Sequence, residues 1–224
     1  MHIGWYIGLS ISSILFFVSY FLLSRANYKK RFGTDYDFRN HFPYELNFEA
    51  PFSLNLLGNI ALVMGCALST GLFALTLSEI RNNGFIIYAL ISGALYSIFI
   101  AVINFIPLKT IKIHLLFAIF LFASAFATPC AIGLGAFNYY QGSKDVFSLV
   151  VMIISLTIGL FHFVLIMNPK LSLNIKMQVA TDEKGNQIYI RPKFIMMAFT
   201  EWMLIFSVAL SQIMLILFMI AITK

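Results

Sequence analysis

Charge is scarce in this chain, and cysteine is scarcer still. Asp, Glu, Lys and Arg make up only 11% of the 224 residues, against roughly a quarter in soluble domains. With a mean hydropathy of +0.89, that shortage excludes disorder and argues against a soluble enzyme. The two cysteines, Cys66 and Cys130, both sit inside apolar stretches. They supply neither a disulfide framework nor a CxxC metal motif, and read as small buried hydrophobes. Motifs of the GxxxxGK[ST], GxGxxG and GxSxG types are missing, which leaves nucleotide hydrolysis and serine-nucleophile chemistry without support. The glycines of GLGAF at 133–137 serve helix packing, not phosphate binding. Repeats, low-complexity tracts and hydrophilic linkers are absent too, so residues 1–224 form one polytopic membrane domain.

What the chain does contain is long apolar runs. Six reach the roughly 20 residues needed to cross the hydrocarbon of a bilayer, at about 3–23, 53–78, 85–106, 113–138, 146–168 and 194–222. An open strand edge cannot be satisfied in lipid, so all six are helices and the fold class is an all-α six-helix membrane bundle. The first run has no positive leader region and no small-residue cleavage site. It is followed at once by RANYKKR, the pattern of an uncleaved anchor.

The few cations are distributed unevenly. Arg25, Lys29, Lys30, Arg31 and Arg39 fall in the first connection, Lys109 and Lys112 in the third. Lys170, Lys176, Lys184, Arg191 and Lys193 fall in the fifth, against only Arg81, Lys144 and Lys224 on the opposite side. Cytoplasmic loops accumulate Lys and Arg. The odd connections are therefore expected inside, with both termini outside and a bacterial cytoplasmic membrane as the expected location. The net charge of +6 then meets anionic lipid at the cytoplasmic face, not nucleic acid. Trp5, Tyr6, Tyr139 and Tyr140 lie near expected outer boundaries, where interfacial aromatics concentrate.

The fourth run, IHLLFAIFLFASAFATPCAIGLGAFN, reads as the central helix. Ala123, Ala127, Ala131 and Gly135 recur every four residues as a small-residue strip for close helix approach. Pro129 removes one backbone hydrogen bond and predicts a kink. In the fifth connection KMQVAT and QIYIRP flank DEKGN, and Gly185–Asn186 supplies turn chemistry, so a small β-hairpin is expected between helices 5 and 6.

Intramembrane polar groups are costly and mark function or helix contacts. Asn55, Asn59, Asn104, His114, His162 and Glu201 all fall in the cytoplasmic third of their helices. Helical spacing aligns Asn55, Asn59 and Cys66 on one face, Gly93, Ser97 and Asn104 on another, and Glu201, Val208 and Gln212 on a third. Turned inward, these faces enclose a polar pocket open to the cytoplasm. Glu201 is the only acid well inside a predicted helix. By depth its first companion is His162 and its second His114. Glu201 then reads either as a proton-linked or ligand-binding group, or as a carboxyl tying two helices together. His114, His162 and Glu201 also compose a three-ligand N/O set of the catalytic-zinc type, and the two histidines a possible haem pair. Without HExxH or another compact ligand motif, no cofactor is predicted.

FPYELNFEAP, the apolar run with Asn59 that follows it, and IHLLFAIFLF resemble the DRAM-like six-helix membrane proteins. Those carry a Pro-Tyr-containing loop after the first helix and a His-led helix later. The resemblance implies a six-helix membrane fold. That family usually places the first loop away from the cytoplasm, whereas the cation count here places it inside. Three functional readings follow: a non-catalytic membrane protein serving as subunit of a larger membrane assembly, a small proton-coupled transporter using Glu201, and an intramembrane haem or metal protein.

Overall fold

A computed structural model of the chain describes residues 3–46, 55–79, 83–106, 110–171, 178–181 and 187–223. Six helices carry the architecture: α1 (Ile3–Phe32), α2 (Leu56–Glu79), α3 (Gly84–Phe105), α4 (Ile111–Ser143), α5 (Val146–Ile166) and α6 (Met196–Thr223). All six are long and apolar enough to be candidate membrane spans. The protein is thus an all-α, multi-pass membrane protein embedded in lipid.

Consecutive helices from α1 to α5 pack side by side, while α6 lies against α1, α3, α4 and α5. The most enclosed helix is therefore α6, not the α4 segment that the sequence presents as central. The reason is geometric. Small residues spaced by four advance about 400° in 3.6-residue turns, so the strip drifts by roughly 120° between Ala123 and Gly135. Ala123 is consequently exposed and Ala127 half-buried, while Ala131 and Gly135 are buried. Gly135 lies under the Ile86 side chain, where a Cβ would collide with its Cδ1.

The helix ends reflect local chemistry more than hydropathy. Helix α1 runs nine residues past the expected position 23, taking Arg25, Lys29, Lys30 and Arg31 into its last turns, where cations complement the C-terminal dipole. Gly33, at φ 68°, ends it with its N–H on the Lys29 carbonyl at 2.9 Å, the left-handed cap that glycine adopts at no steric cost. Helix α4 ends similarly at Lys144, with φ 58° and its N–H on the Tyr140 carbonyl. Asp145 then caps α5 by accepting from the Ser148 N–H at 2.9 Å. Asn83 caps α3, accepting from the Phe85 and Ile86 N–H groups.

Helix α4 continues through Pro129. Proline leaves the carbonyl four residues earlier without its N–H donor, and that carbonyl is Ala125. The Nδ1 of His162 on α5 meets it at 2.7 Å. A neighbouring helix thus satisfies the freed group, as buried membrane backbone requires. The approach is close because Gly159, one turn before His162, lies against the Cys130 Sγ.

In the fifth connection, β1 (Gln178–Thr181) and β2 (Gln187–Ile190) pair antiparallel, with Gln178 opposite Ile190 and Thr181 opposite Gln187. The turn expected at Gly185–Asn186 and the cation Lys176 lie outside the described residues.

Candidate functional site

The polar side chains sort into layers. In one of them, Gln212 on α6 ties four helices together. Its Oε1 accepts from Ser10 at 3.2 Å, and its Nε2 donates to Ser13 at 3.1 Å and Ser69 at 2.8 Å. Ser69 continues to Ser97 at 2.6 Å, which donates onward to the Gly93 carbonyl. All five side chains are buried. Glu201 and Gln212 were expected on one face with Val208; the serines that complete this layer on α1 and α2 went unread, because isolated serines in apolar helices carry little signal.

The second layer lies at the end of the bundle that carries the first, third and fifth connections. Glu201 and His114 are both fully buried there, with Glu201 Oε1 3.3 Å from His114 Nε2. His114 Nδ1 sits 2.8 Å from the Ile106 carbonyl. A carbonyl only accepts, so Nδ1 carries a hydrogen. The bond between Nε2 and Oε1 then needs one further proton, on the imidazole or on the carboxyl. The pair is therefore a one-proton unit that can be written either as imidazolium–carboxylate or as two neutral groups. The second carboxyl oxygen, Oε2, has no hydrogen-bond partner among the described residues.

A cap built from the first and fifth connections closes this end. The 3₁₀ turn Pro43–Leu46 places Tyr44 edge-on to the His114 ring, centroids 5.6 Å apart. Glu45 reaches back to the Phe42 N–H at 2.6 Å, a half capping box. The same carboxylate takes a two-pronged contact from Arg191, Nη1 to Oε1 at 2.8 Å and Nη2 to Oε2 at 3.0 Å, the strong geometry of a guanidinium–carboxylate pair. Two further ties join the connections: Asn40 Nδ2 donates to the Pro192 carbonyl, and the Ile195 N–H donates to the Arg39 carbonyl at 2.9 Å. Below them the Trp202 indole N–H reaches the Tyr36 hydroxyl at 2.8 Å and the His41 carbonyl at 3.0 Å. Tyr36 in turn donates to the Phe42 carbonyl at 2.8 Å.

Burial sets the electrostatics of the cap. It pushes the Tyr36 phenol well above its usual range, with nearby Tyr20 adding to the effect. Tyr44 is raised by burial first and by the Glu45 charge second. His41 is lowered, by burial first and by the Arg191 cation second, so the neutral ring is favoured.

Of the six residues expected to share one pocket, His114 and Glu201 meet each other, while His162, Asn104 and Asn55 have other hydrogen-bond partners. His114, the second companion by depth, is the one that meets Glu201. His162 binds Ala125, eleven residues along α4 from His114, which is about 16 Å of rise. The set His114, His162 and Glu201 is therefore not gathered for zinc, and the two imidazoles do not flank a common space for haem iron. No group of three or more potential metal ligands occurs among the described residues. Asn104 accepts from the Tyr20 hydroxyl at 2.5 Å and donates to the Ile100 carbonyl. Asn55 donates to Ser24 at 2.9 Å and accepts from Asn27. Asn59 is buried with its Oδ1 unpartnered among the described residues. Depth was legible; the partners were not, because spacing along one helix does not fix its rotation against another. Trp202, Tyr36 and the Glu45–Arg191 tie were not anticipated as parts of the site.

Compared with known protein families, characterised proteins and solved structures, the chain matches none.

Proposed function

We propose that the chain is a proton-linked membrane protein of the small-carrier kind, with His114 and Glu201 as its proton-holding centre. The observation that carries this reading is the buried pair itself: an imidazole nitrogen and a carboxyl oxygen 3.3 Å apart, one orphaned carboxyl oxygen, and a cap of two tied connections above it. A fully buried carboxyl with an empty acceptor position is costly in lipid, and a proton or a polar solute is what would occupy it. The cation count orients the cap toward the cytoplasm, twelve Lys and Arg on the odd connections against three on the other side. Both termini then lie outside, anionic lipid meets the basic face, and the paired strands of the fifth connection rest at the cytoplasmic surface.

The test uses proteoliposomes with a trapped pH dye and panels of amino acids, sugars and organic cations added outside. One solute class moves protons with it, and Glu201→Gln abolishes that coupling while helicity and size-exclusion profile stay unchanged. Coupling that persists in Glu201→Gln would overturn the assignment.

A second reading has its own observation. Ile7, Ile11, Leu15, Val18 and Leu22 form an exposed apolar stripe on α1, the least buried helix. It suits a subunit whose α1 packs on another membrane chain, the Gln212 layer locking the helices in place. Stoichiometric partner chains retained on purification from native membrane, whatever the residue at 201, favour that reading over the carrier.

A further inference from the structure

On the lipid-facing side, α1 and α6 part to leave an apolar crevice of about 140 Å³. Ile14, Phe17 and Phe21 form one wall, Ile205 and Phe206 the other, and the buried Trp202 lies at its floor. From Ile14 to Leu22 the crevice follows α1 for eight residues, about 12 Å. Phe21 is shared with a second, open recess at the capped end, of about 480 Å³, lined by Arg25, Asp35, Tyr36, Asp37, Phe38 and Arg39. A greasy slot and a charged recess thus have the Phe21 ring as a common wall.

The charges in the recess are not equivalent. Asp35 is paired with Lys29 at 3.1 Å and Asp37 with Arg39 at 2.7 Å. Arg25 has neither a hydrogen bond nor an ion pair among the described residues. It stands one helical turn above Phe21, about 6 Å along the axis, at the level where α1 passes from apolar to basic sequence. With Lys29 counted on Asp35 and Arg39 on Asp37, each carboxylate of the recess has a cationic partner and Arg25 is left without an acidic one.

We propose that this composite slot is a binding site for one anionic phospholipid, an acyl chain lying between α1 and α6 over Trp202 and the phosphate on the Arg25 guanidinium. An anionic headgroup matches the one unpaired charge, and a planar guanidinium takes phosphate oxygens two at a time. The crevice is too apolar for a polar solute, and exposed Val18 and Leu22 stand at its edge. This site stands independently of the carrier reading, because it involves neither Glu201 nor His114.

The chain has two tryptophans, and Trp5 is exposed near the other end of α1. Trp5→Phe therefore leaves Trp202 as the sole reporter. The full-length protein is reconstituted with lipids brominated on the acyl chain, phosphatidylglycerol or phosphatidylcholine, at equal mole fraction. Bromine quenches indole only at short range, so an acyl chain in the crevice that Trp202 lines quenches it and bulk lipid beyond the helices does not. The expected result is stronger quenching by the phosphatidylglycerol, with an apparent association constant about five-fold higher, the increment of one basic side chain at an anionic headgroup. Arg25→Gln brings the ratio to one, Arg25→Lys keeps most of it, and Lys29→Gln leaves it in place. Ala209→Phe, which narrows the crevice, lowers quenching by both lipids. Equal quenching by the two lipids with Arg25 intact overturns the proposal without any substitution at that position. So does a preference that survives Arg25→Gln.

Discussion

The contact between His162 and Ala125 makes a prediction that depends on two helices at once. His162→Ala removes the Nδ1 donor and opens a cavity between α4 and α5 in a position where the ring is fully buried. Large-to-small changes at such sites cost about 2–5 kcal/mol, and an orphaned buried carbonyl adds to that loss. The cavity contribution is uninformative about the mechanism, but a double-mutant cycle cancels it. Pro129→Ala gives residue 129 an N–H that can bond the Ala125 carbonyl within α4. In that background the carbonyl no longer depends on His162, and His162→Ala loses only packing. Interhelical hydrogen bonds in membrane proteins average about 0.6 kcal/mol and reach about 1.7. A short bond to a carbonyl with no other helical donor belongs in the upper half of that range, so a coupling of about 1 kcal/mol is expected. Reversible unfolding in mixed micelles or steric trapping in bicelles measures all four corners. Additivity to within about 0.3–0.5 kcal/mol, the behaviour of independent sites, would refute the claim that His162 replaces the bond taken away by Pro129.

Other consequences are nearer to hand. Gln212→Leu breaks three interhelical bonds, to Ser10, Ser13 and Ser69, and should destabilise the bundle by about 2 kcal/mol at 0.6 each; an unchanged unfolding midpoint would mean that the layer contributes nothing. Arg191→Met leaves Glu45 with its Phe42 contact alone, so hydrogen exchange at residues 36–46 should accelerate about ten-fold or more, as the loss of a charge-assisted pair of 1.5–3 kcal/mol implies. Protection equal to the parent protein would show that the two connections are not tied through that pair. His41 gives the cap a pH dependence of definite sign. Its folded pKa is lowered by burial and by Arg191. Below the ordinary histidine value near 6.5, the unfolded cap binds the proton more readily. Stability from the neutral ring is complete above that value and is lost as pH falls toward and through the folded one. Protection factors at residues 36–46, taken against the intrinsic exchange rate at each pH, should therefore fall on acidification from pH 7, with the fall attenuated in His41→Gln.

The spans were readable because lipid imposes a length and a composition on anything that crosses it. Their ends were not. Helix α1 stops where Gly33 adopts a left-handed conformation, well inside polar sequence, and α4 stops at Lys144, past the fall in hydropathy that follows Asn138. Depth along each helix was also readable, which is why Glu201 and His114 appeared together among the candidates. Rotation was not, and it decides which side chains meet. His162 lies at a depth that suggested Glu201, yet a proline on the adjacent helix claims it. Ala123 belongs to a regular strip, yet the drift of that strip turns it to lipid. The cap depended on contacts between residues about 150 positions apart, Glu45 with Arg191 and Tyr36 with Trp202. Neither pair has a pattern in sequence, since an aromatic-rich loop suits a headgroup layer equally well.

Among all of these claims, the one on which the functional reading turns is that Glu201 shares a proton with His114 in a dry site. Infrared difference spectroscopy of the protein in lipid, recorded across a pH titration with carboxyl-labelled glutamate, addresses it directly. A carboxyl band above the solvated range, shifting with pH, lost in Glu201→Gln and displaced in His114→Gln, is the expected result. A Glu201 band with the frequency and titration of a solvated side chain, unmoved by His114→Gln, would contradict it.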